Sequence, residues 1–404
     1  MKILVVNCPS FSHNIPTLGF ITELIRRGFS VDIISSSFLF PDPALKDMII
    51  STGANYIDCE FLEVYQTSNE EIDNYDPVGA FMAAICIFAL EHAEKNGYNA
   101  IVYDFFMFPV YYFNHLVKTP VIRFYSSWAY NKELYDRMFK SDEKDHMFNK
   151  WFVNMQNTIM SVLKKKNYKF NMDNIRDEMI DNIPPLNLVG LMKDMQPCTG
   201  DFDERFVYVG TSVFPSEENI TIPFERMEGR KVIYVSFGTF VNITEDNKGK
   251  DMFERIINTF RNEDVFVIMA IGTGMPIEDL SCIPDNFFVY QFVPQTKVLQ
   301  HADLIITHGG MNSVNEAIYY GVPMVVIPGG QDQSINAEQV ELKNIGKSLD
   351  RKSFTTEQLC IISRDVLYND EIKHNITEMQ NKARSLDSAI QTANLIEDFI
   401  KQNK

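Results

Sequence analysis

The chain runs twice through one pattern, in which short β-branched or apolar runs alternate with longer amphipathic stretches. Residues 3–7, 30–35, 100–104 and 120–124 make the first series; 232–237, 265–271, 287–292, 304–307 and 323–327 make the second. A strand that rejoins its sheet in parallel needs a crossover of a dozen or more residues, usually a helix, so this alternation specifies parallel sheets covered by helices on both faces. The two series also open alike, as MKILVV and RKVIYV, a basic residue leading an apolar strand. The pattern predicts an α/β protein of two doubly wound, Rossmann-like domains, and a length of 404 residues suits two such domains. The first is placed at 1–210 and the second at 231–404. Between them, 211–230 is rich in Gly, Pro, Ser and Glu without a periodic apolar face and reads as the linker.

A segment at about 130–181 interrupts the first series. Trp151, Met155, Ile159 and Val162 fall on one helical face, followed by Lys164-Lys165-Lys166. They read as an inserted helical layer packed on the first sheet with a solvated basic turn, in preference to a substrate lid or a membrane-touching helix. The charge-free apolar run 78–90 is shorter than the ~20 residues a spanning helix needs and reads as a buried helix. The N-terminus reads as a first strand rather than a signal peptide. Cys8, Cys59, Cys86, Cys198, Cys282 and Cys360 include no C-x-x-C pair, which argues against a disulfide framework or a zinc knot and for a reducing, cytoplasmic setting. A net charge of −17 would repel a phosphate backbone, so nucleic acid is disfavoured as a partner and any anionic ligand must be held locally.

THGGMNSVNEAIYYGVP, residues 307–323, is such a local device. A helix N-terminus exposes unpaired backbone N–H groups and a partial positive charge, so a glycine turn feeding one can hold phosphate without a lysine. Gly309 and Gly310 allow close backbone approach, Asn312 and Ser313 add side-chain donors, and His308 can donate from the strand end. Ser313 and Glu316 also have the spacing of a capping box that merely completes the first helical turn. A second glycine-bearing turn, PGGQDQSINAEQV at 328–340, follows the next strand, and ligands of open parallel sheets bind at such carboxyl ends.

From Phe292 to Val340 the chain resembles the nucleotide-sugar signature of the family-one glycosyltransferases of GT-B fold, the group that includes bacterial macrolide glycosyltransferases and UDP-glucuronosyltransferases. The resemblance implies two domains facing a cleft. It implies that His308, Gly310, Asn312 and Ser313 contact a diphosphate, with Gly238 and Thr239 reaching it from another turn. It further implies that Glu316 accepts from ribose hydroxyls, that Phe292, Val293 and Gln295 border the base, and that Asp332 and Gln333 bind sugar hydroxyls.

Transfer of a glycosyl group to an alcohol needs a base for the acceptor proton, and an oriented histidine suits this. His13 lies in NCPSFSHNIPTLGF, ahead of Pro16, which reads as the first residue of a helix. The strand in NAIVYDFF ends in Asp104, which can meet His13 at the carboxyl ends of their strands. The resemblance places the catalytic His and its Asp partner at these two positions. Other chemistries fit less well: Gly272-Thr273-Gly274 runs into Met275-Pro276 rather than completing G-x-G-x-x-G, and Asp201-Phe202-Asp203 reads as surface charge rather than a metal site. A retaining enzyme's Glu-x7-Glu is not found from Glu316, where the second position is Met324.

The expectation is an inverting, metal-independent glycosyltransferase with a UDP-sugar as co-substrate and no other cofactor. It would move a hexose, glucose foremost, to a hydroxyl of a small, largely apolar acceptor. The alternatives are an epimerase or hydrolase of the same fold, or a non-catalytic sugar-nucleotide-binding partner of another transferase. A pure binder has no need of His13 and Asp104 as a pair, so their separation discriminates.

Overall fold

The computed structural model describes residues 1–36, 43–59, 76–107, 118–139, 146–165, 167, 180–215, 220–238, 248–330 and 332–403. They divide into two compact units, Met1–Ser212 with Leu386–Lys404, and Val213–Ser385.

In the first unit, β1 (Lys2–Val6), β2 (Ser30–Ser35), β3 (Asn55–Asp58), β4 (Ala100–Asp104), β5 (Val121–Tyr125), β6 (Asn187–Val189) and β7 (Phe206–Tyr208) form one sheet. Its order is β3-β2-β1-β4-β5-β6-β7, with every pair parallel. In the second unit, β8 (Lys231–Ser236), β9 (Val265–Ala270), β10 (Phe287–Tyr290), β11 (Leu304–Thr307), β12 (Met324–Val326) and β13 (Gly346–Ser348) form another sheet, again all parallel, in the order β10-β9-β8-β11-β12-β13. Strand order therefore reverses between β1 and β4 in one unit and between β8 and β11 in the other. Connections leave to opposite faces at such a point, which opens a crevice at the carboxyl ends. β3, β6, β7 and β13 escape the sequence pattern because three or four residues, such as Gly-Lys-Ser in β13, are too few to show a period.

The helices described in the first unit are α1 (Phe11–Arg26), α2 (Pro43–Ser51), α3 (Pro77–Asn96), α4 (Lys132–Phe139) and α5 (His146–Lys165). α3 contains the run 78–90 and is the expected buried helix. Asp76 caps it by accepting from Gly79 N at 2.9 Å, Pro77 takes the first helical position, and Ile85 and Cys86 are fully buried. α5 supplies the helical layer, with Met155, Ile159 and Val162 buried against α3. A β-carbon at Gly79 would overlap the Met155 carbonyl oxygen, so the two helices cross where one has no side chain. The Trp151 side chain and Lys166 lie outside the described residues.

In the second unit follow α6 (Lys248–Phe260), α7 (Gln295–Leu299), α8 (Met311–Tyr320), α9 (Asp332–Leu342), α10 (Thr356–Tyr368) and α11 (Asp370–Ser385). Its core joins Ile233, Val235, Val267, Leu304 and Ile306 of the strands to Phe253, Ile256 and Leu359 of the helices.

The last helix, α12 (Ser388–Gln402), departs from the expectation that the second domain runs to residue 404. It groups with the first unit. Ala393, Ile396 and Ile400, at helical spacing, are buried, and each fully buried isoleucine stabilises by ~1.5–3 kcal/mol. Arg27, the C-cap residue of α1, donates to Asn394 at 2.7 Å and to Glu397 at 3.3 Å, and Ser388 donates to Gly210 O at 3.3 Å.

Candidate active site

In the first unit the polar side chains after β1, β4 and β5 converge. Helix α1 begins at Phe11 with Ser10 at its N-cap, so His13 sits in its first turn and Pro16 lies inside the helix, not at its start as expected. Side chains hold this entry. Asn14 donates to Cys8 O at 2.9 Å and Ser10 O at 2.8 Å, while Asn7 donates to Asn14 at 3.1 Å and Thr17 at 2.9 Å. These bonds tie the end of β1 to α1, so the His13 backbone is carried by regular structure.

Asp104, the last residue of β4, is fully buried. Its Oδ2 lies 2.9 Å from His13 Nδ1 and accepts from Ser126 Oγ at 3.0 Å, and its Oδ1 accepts from Phe106 N at 2.9 Å. Ser126, directly after β5, also lies 3.0 Å from His13 Nδ1, which closes a triangle. With the Nδ1 hydrogen directed at Asp104, Nε2 keeps a lone pair and can take a proton. Phe106 meets the imidazole edge-on, ring centroids 4.9 Å apart, and gives this side an apolar wall. Cys8, on the same turn, is no nucleophile: burial, then the charge of Asp104, raise its pKa and keep the thiol protonated. Ser126 was not among the expected residues, and only its place at the end of a strand next to β4 could have signalled it.

The second unit carries the glycine turns. Gly238 follows β8 with φ +80°, and Gly309 follows β11 with φ +84°, conformations that favour glycine. A β-carbon at Gly238 would lie 3.1 Å from His308 Cε1, and one at Gly310 would lie 2.5 Å from His308 Nε2. The His308 ring therefore occupies the space two missing side chains leave. Burial, then the charge of Arg351, push its pKa down to about 4 against a hydrogen bond with the Ser236 backbone, so the ring is neutral near pH 7. Buried Asn336 donates to Gly309 O at 2.7 Å and pins the turn.

Helix α8 starts at Gly310 as N-cap, with no side chain capping it. The capping-box reading fails because Ser313 is the third helical residue and Glu316 the sixth. The first turn, with Asn312 and Ser313 on it, is of the kind whose backbone amides suit an anion. Glu316 is buried and accepts from Gln295 Nε2 at 2.7 Å. Gln295 in turn accepts from Tyr234 Oη at 3.0 Å. Burial holds the Glu316 carboxyl up at about 7, the Gln295 hydrogen bond opposing. Gln295, expected beside a base, is thus also the residue that fixes Glu316. Phe292 is 38% exposed, a free flat face after β10, while Val293 is buried. Gln333, beside Asp332 at the start of α9, accepts from Gly329 N at 2.8 Å. Thr239 lies outside the described residues.

One unit thus brings together an oriented base and the other a glycine-lined helix end with a buried carboxyl. Residues 224–388 match the UDP-glucoronosyl and UDP-glucosyl transferase family. The chain is 28% identical to the NDP-glycosyltransferase YjiC of Bacillus subtilis, over 99% of this chain and 98% of that protein. It is 26% identical to YojK of the same organism, an uncharacterized UDP-glucosyltransferase, with the same coverage of 99% and 98%. Among solved structures, the calicheamicin glycosyltransferase superposes with a TM-score of 0.76 at 23% identity, covering 99% of this chain and 98% of that one. That likeness shows the fold, GT-B.

Proposed function

Because this chain belongs to the family of UDP-glucuronosyl and UDP-glucosyl transferases and is a nucleoside-diphosphate-sugar glycosyltransferase, we propose that it is an inverting, metal-independent hexosyltransferase with His13 as its base. The observation that carries this reading is the 2.9 Å contact between His13 Nδ1 and buried Asp104. A protein that only binds sugar nucleotides has no use for such a pair.

In this reading His13 Nε2 removes the acceptor hydroxyl proton as the acceptor oxygen attacks the anomeric carbon. The bond from that carbon to the diphosphate breaks on the opposite side, its electron pair leaves with the diphosphate, and the configuration inverts. Asp104 stabilises the imidazolium that forms, and Ser126 holds the carboxylate oxygen that faces it. The second unit receives the leaving group on the amides of the Gly309-Gly310 turn and of α8, with His308 beside them. Glu316 takes the ribose hydroxyls, Phe292 stacks on the base, and Asp332 and Gln333 bind the sugar. UDP-glucose is the donor this reading favours, with a small acceptor that rests an apolar ring on Phe106. The setting is cytoplasmic.

An acceptor screen with UDP-glucose, reading both UDP release and product mass, tests the proposal. Product with inverted anomeric configuration is the expected result. UDP release without a glycosylated product across phenolic and alcoholic acceptors would favour a hydrolase, and binding without turnover a non-catalytic role.

A further inference from the structure

Arg351 lies past the end of β13, in the turn SLDRKSF, outside the stretch 292–340 that carries the donor signature. Its guanidinium reaches back over the loop after β12, where a β-carbon at Gly329 would lie 2.8 Å from Arg351 Nη1 and 3.1 Å from Gln333 Oε1. Its charge is also felt at His308. The cation thus stands on the carboxyl-end side of the sheet, beside one residue read as a sugar contact and within electrostatic reach of another read as a diphosphate contact.

No ion pair or hydrogen bond involves the Arg351 side chain among the described residues. The adjacent acid does not neutralise it: Asp350 Oδ1 is occupied by Lys352 N at 3.0 Å, Ser353 N at 2.9 Å and Ser353 Oγ at 2.8 Å. In a chain with 54 acidic and 37 basic residues, an arginine held over a glycine without a carboxylate partner is matched to an anion from outside.

We propose that Arg351 is a further donor-binding residue, whose guanidinium holds the β-phosphate of the nucleoside diphosphate. The β-phosphate is the one bonded to the sugar, which suits a cation beside Gln333 whose charge reaches His308. It is also where charge accumulates when the glycosyl bond breaks, because the electron pair of that bond passes to its bridging oxygen. Arg351 therefore contributes to leaving-group departure as well as to affinity. Gly329 is required on this account, since any side chain there would displace the guanidinium. The inference rests on reading the second unit as the donor unit.

Calorimetry with UDP and UMP on the wild-type chain, Arg351→Gln and Arg351→Lys tests it, with unliganded melting curves to check folding. Arg351→Gln is expected to weaken UDP by about tenfold or more and UMP by less than about twofold, since UMP lacks the β-phosphate. Arg351→Lys should recover part of the UDP affinity, and the salt dependence of UDP binding should flatten in Arg351→Gln. Equal losses for UDP and UMP, or no loss for either, overturn the proposal. So does a loss seen with UDP-glucuronate but not with UDP, which would move the contact to a sugar carboxylate. Failure of the wild-type chain to bind UDP would instead defeat the donor reading itself.

Discussion

Gln295 donates from Nε2 to the buried carboxyl of Glu316 at 2.7 Å, and that bond fixes the position of the carboxyl. If Glu316 accepts from two ribose hydroxyls, UDP should bind more tightly than TDP, which lacks one of them, by about tenfold for one hydrogen bond. Glu316→Ala should erase that preference. Calorimetry with both nucleotides checks it; equal affinities in the wild-type chain would leave Glu316 a purely structural residue.

The two perturbed groups of the second unit should tilt stability with pH in opposite senses. Glu316 is held up at about 7 from an ordinary 4.5, so the folded state keeps a proton that the unfolded chain releases. That contribution is full below about 4.5, is lost as pH rises through about 7, and is of the order of 3 kcal/mol. His308 is pushed down to about 4 from 6.5, so its contribution is present above about 6.5 and is lost as pH falls through about 4. Relative to wild type, the Tm of Glu316→Gln should therefore climb between pH 4.5 and 7, and that of His308→Gln should climb as pH falls from 6.5 to 4. Melting curves across this range, without ligand, read both; parallel trends in the two variants would contradict the assignment.

His13→Ala should lower transfer by a factor of the order of 10² or more, the range of general base catalysis, while UDP affinity stays within about twofold. Asp104→Asn keeps the shape but removes the charge facing the imidazolium, so it should impair turnover with donor affinity intact. Ser126→Ala should have a smaller effect, about threefold to tenfold on kcat, because Asp104 loses one hydrogen-bond donor but keeps its contact with His13. Near wild-type turnover in His13→Ala would remove His13 as the base.

Gly310→Ala and Gly238→Ala place a β-carbon 2.5 Å from His308 Nε2 and 3.1 Å from its Cε1, respectively, and Gly238 also has φ +80°. Both should displace the His308 ring and weaken UDP binding, with Gly238→Ala also losing ~1 kcal/mol or more of stability from backbone strain. Gly200→Ala, where a β-carbon meets no atom within 4 Å, serves as the control.

A chelator should leave the transfer rate within about twofold of its untreated value, because helix-end amides, His308 and Arg351 would receive the departing charge that a metal neutralises elsewhere. Rates measured with and without chelator, then with added Mg²⁺ or Mn²⁺, decide the point; loss on chelation and recovery on metal addition is the contrary result.

Local sequence determined the central strands, the two parallel sheets and the polar turns at their carboxyl ends. Each strand carries its own period, and Gly309-Gly310 and Asp104 stand at strand ends that can be read from neighbouring residues alone. The residues from Phe292 to Gln333 that are proposed for the donor could be named for the same reason, since they fall in one contiguous stretch. What depends on groups distant in sequence was decided only by the tertiary structure. α12 carries an amphipathic stripe that any apolar surface could take, and only packing assigned it to the first unit. The start of α1 moved from Pro16 to Phe11 because Asn14 and Asn7 make hydrogen bonds that no local propensity encodes. Ser126 and Arg351 sit in ordinary turns, 22 residues from Asp104 and well beyond the donor signature, and gain meaning only from the atoms that folding brings beside them. Short polar strands and paired side chains draw their stability from those neighbours, so the information that places them lies in the packed chain rather than in any window of it.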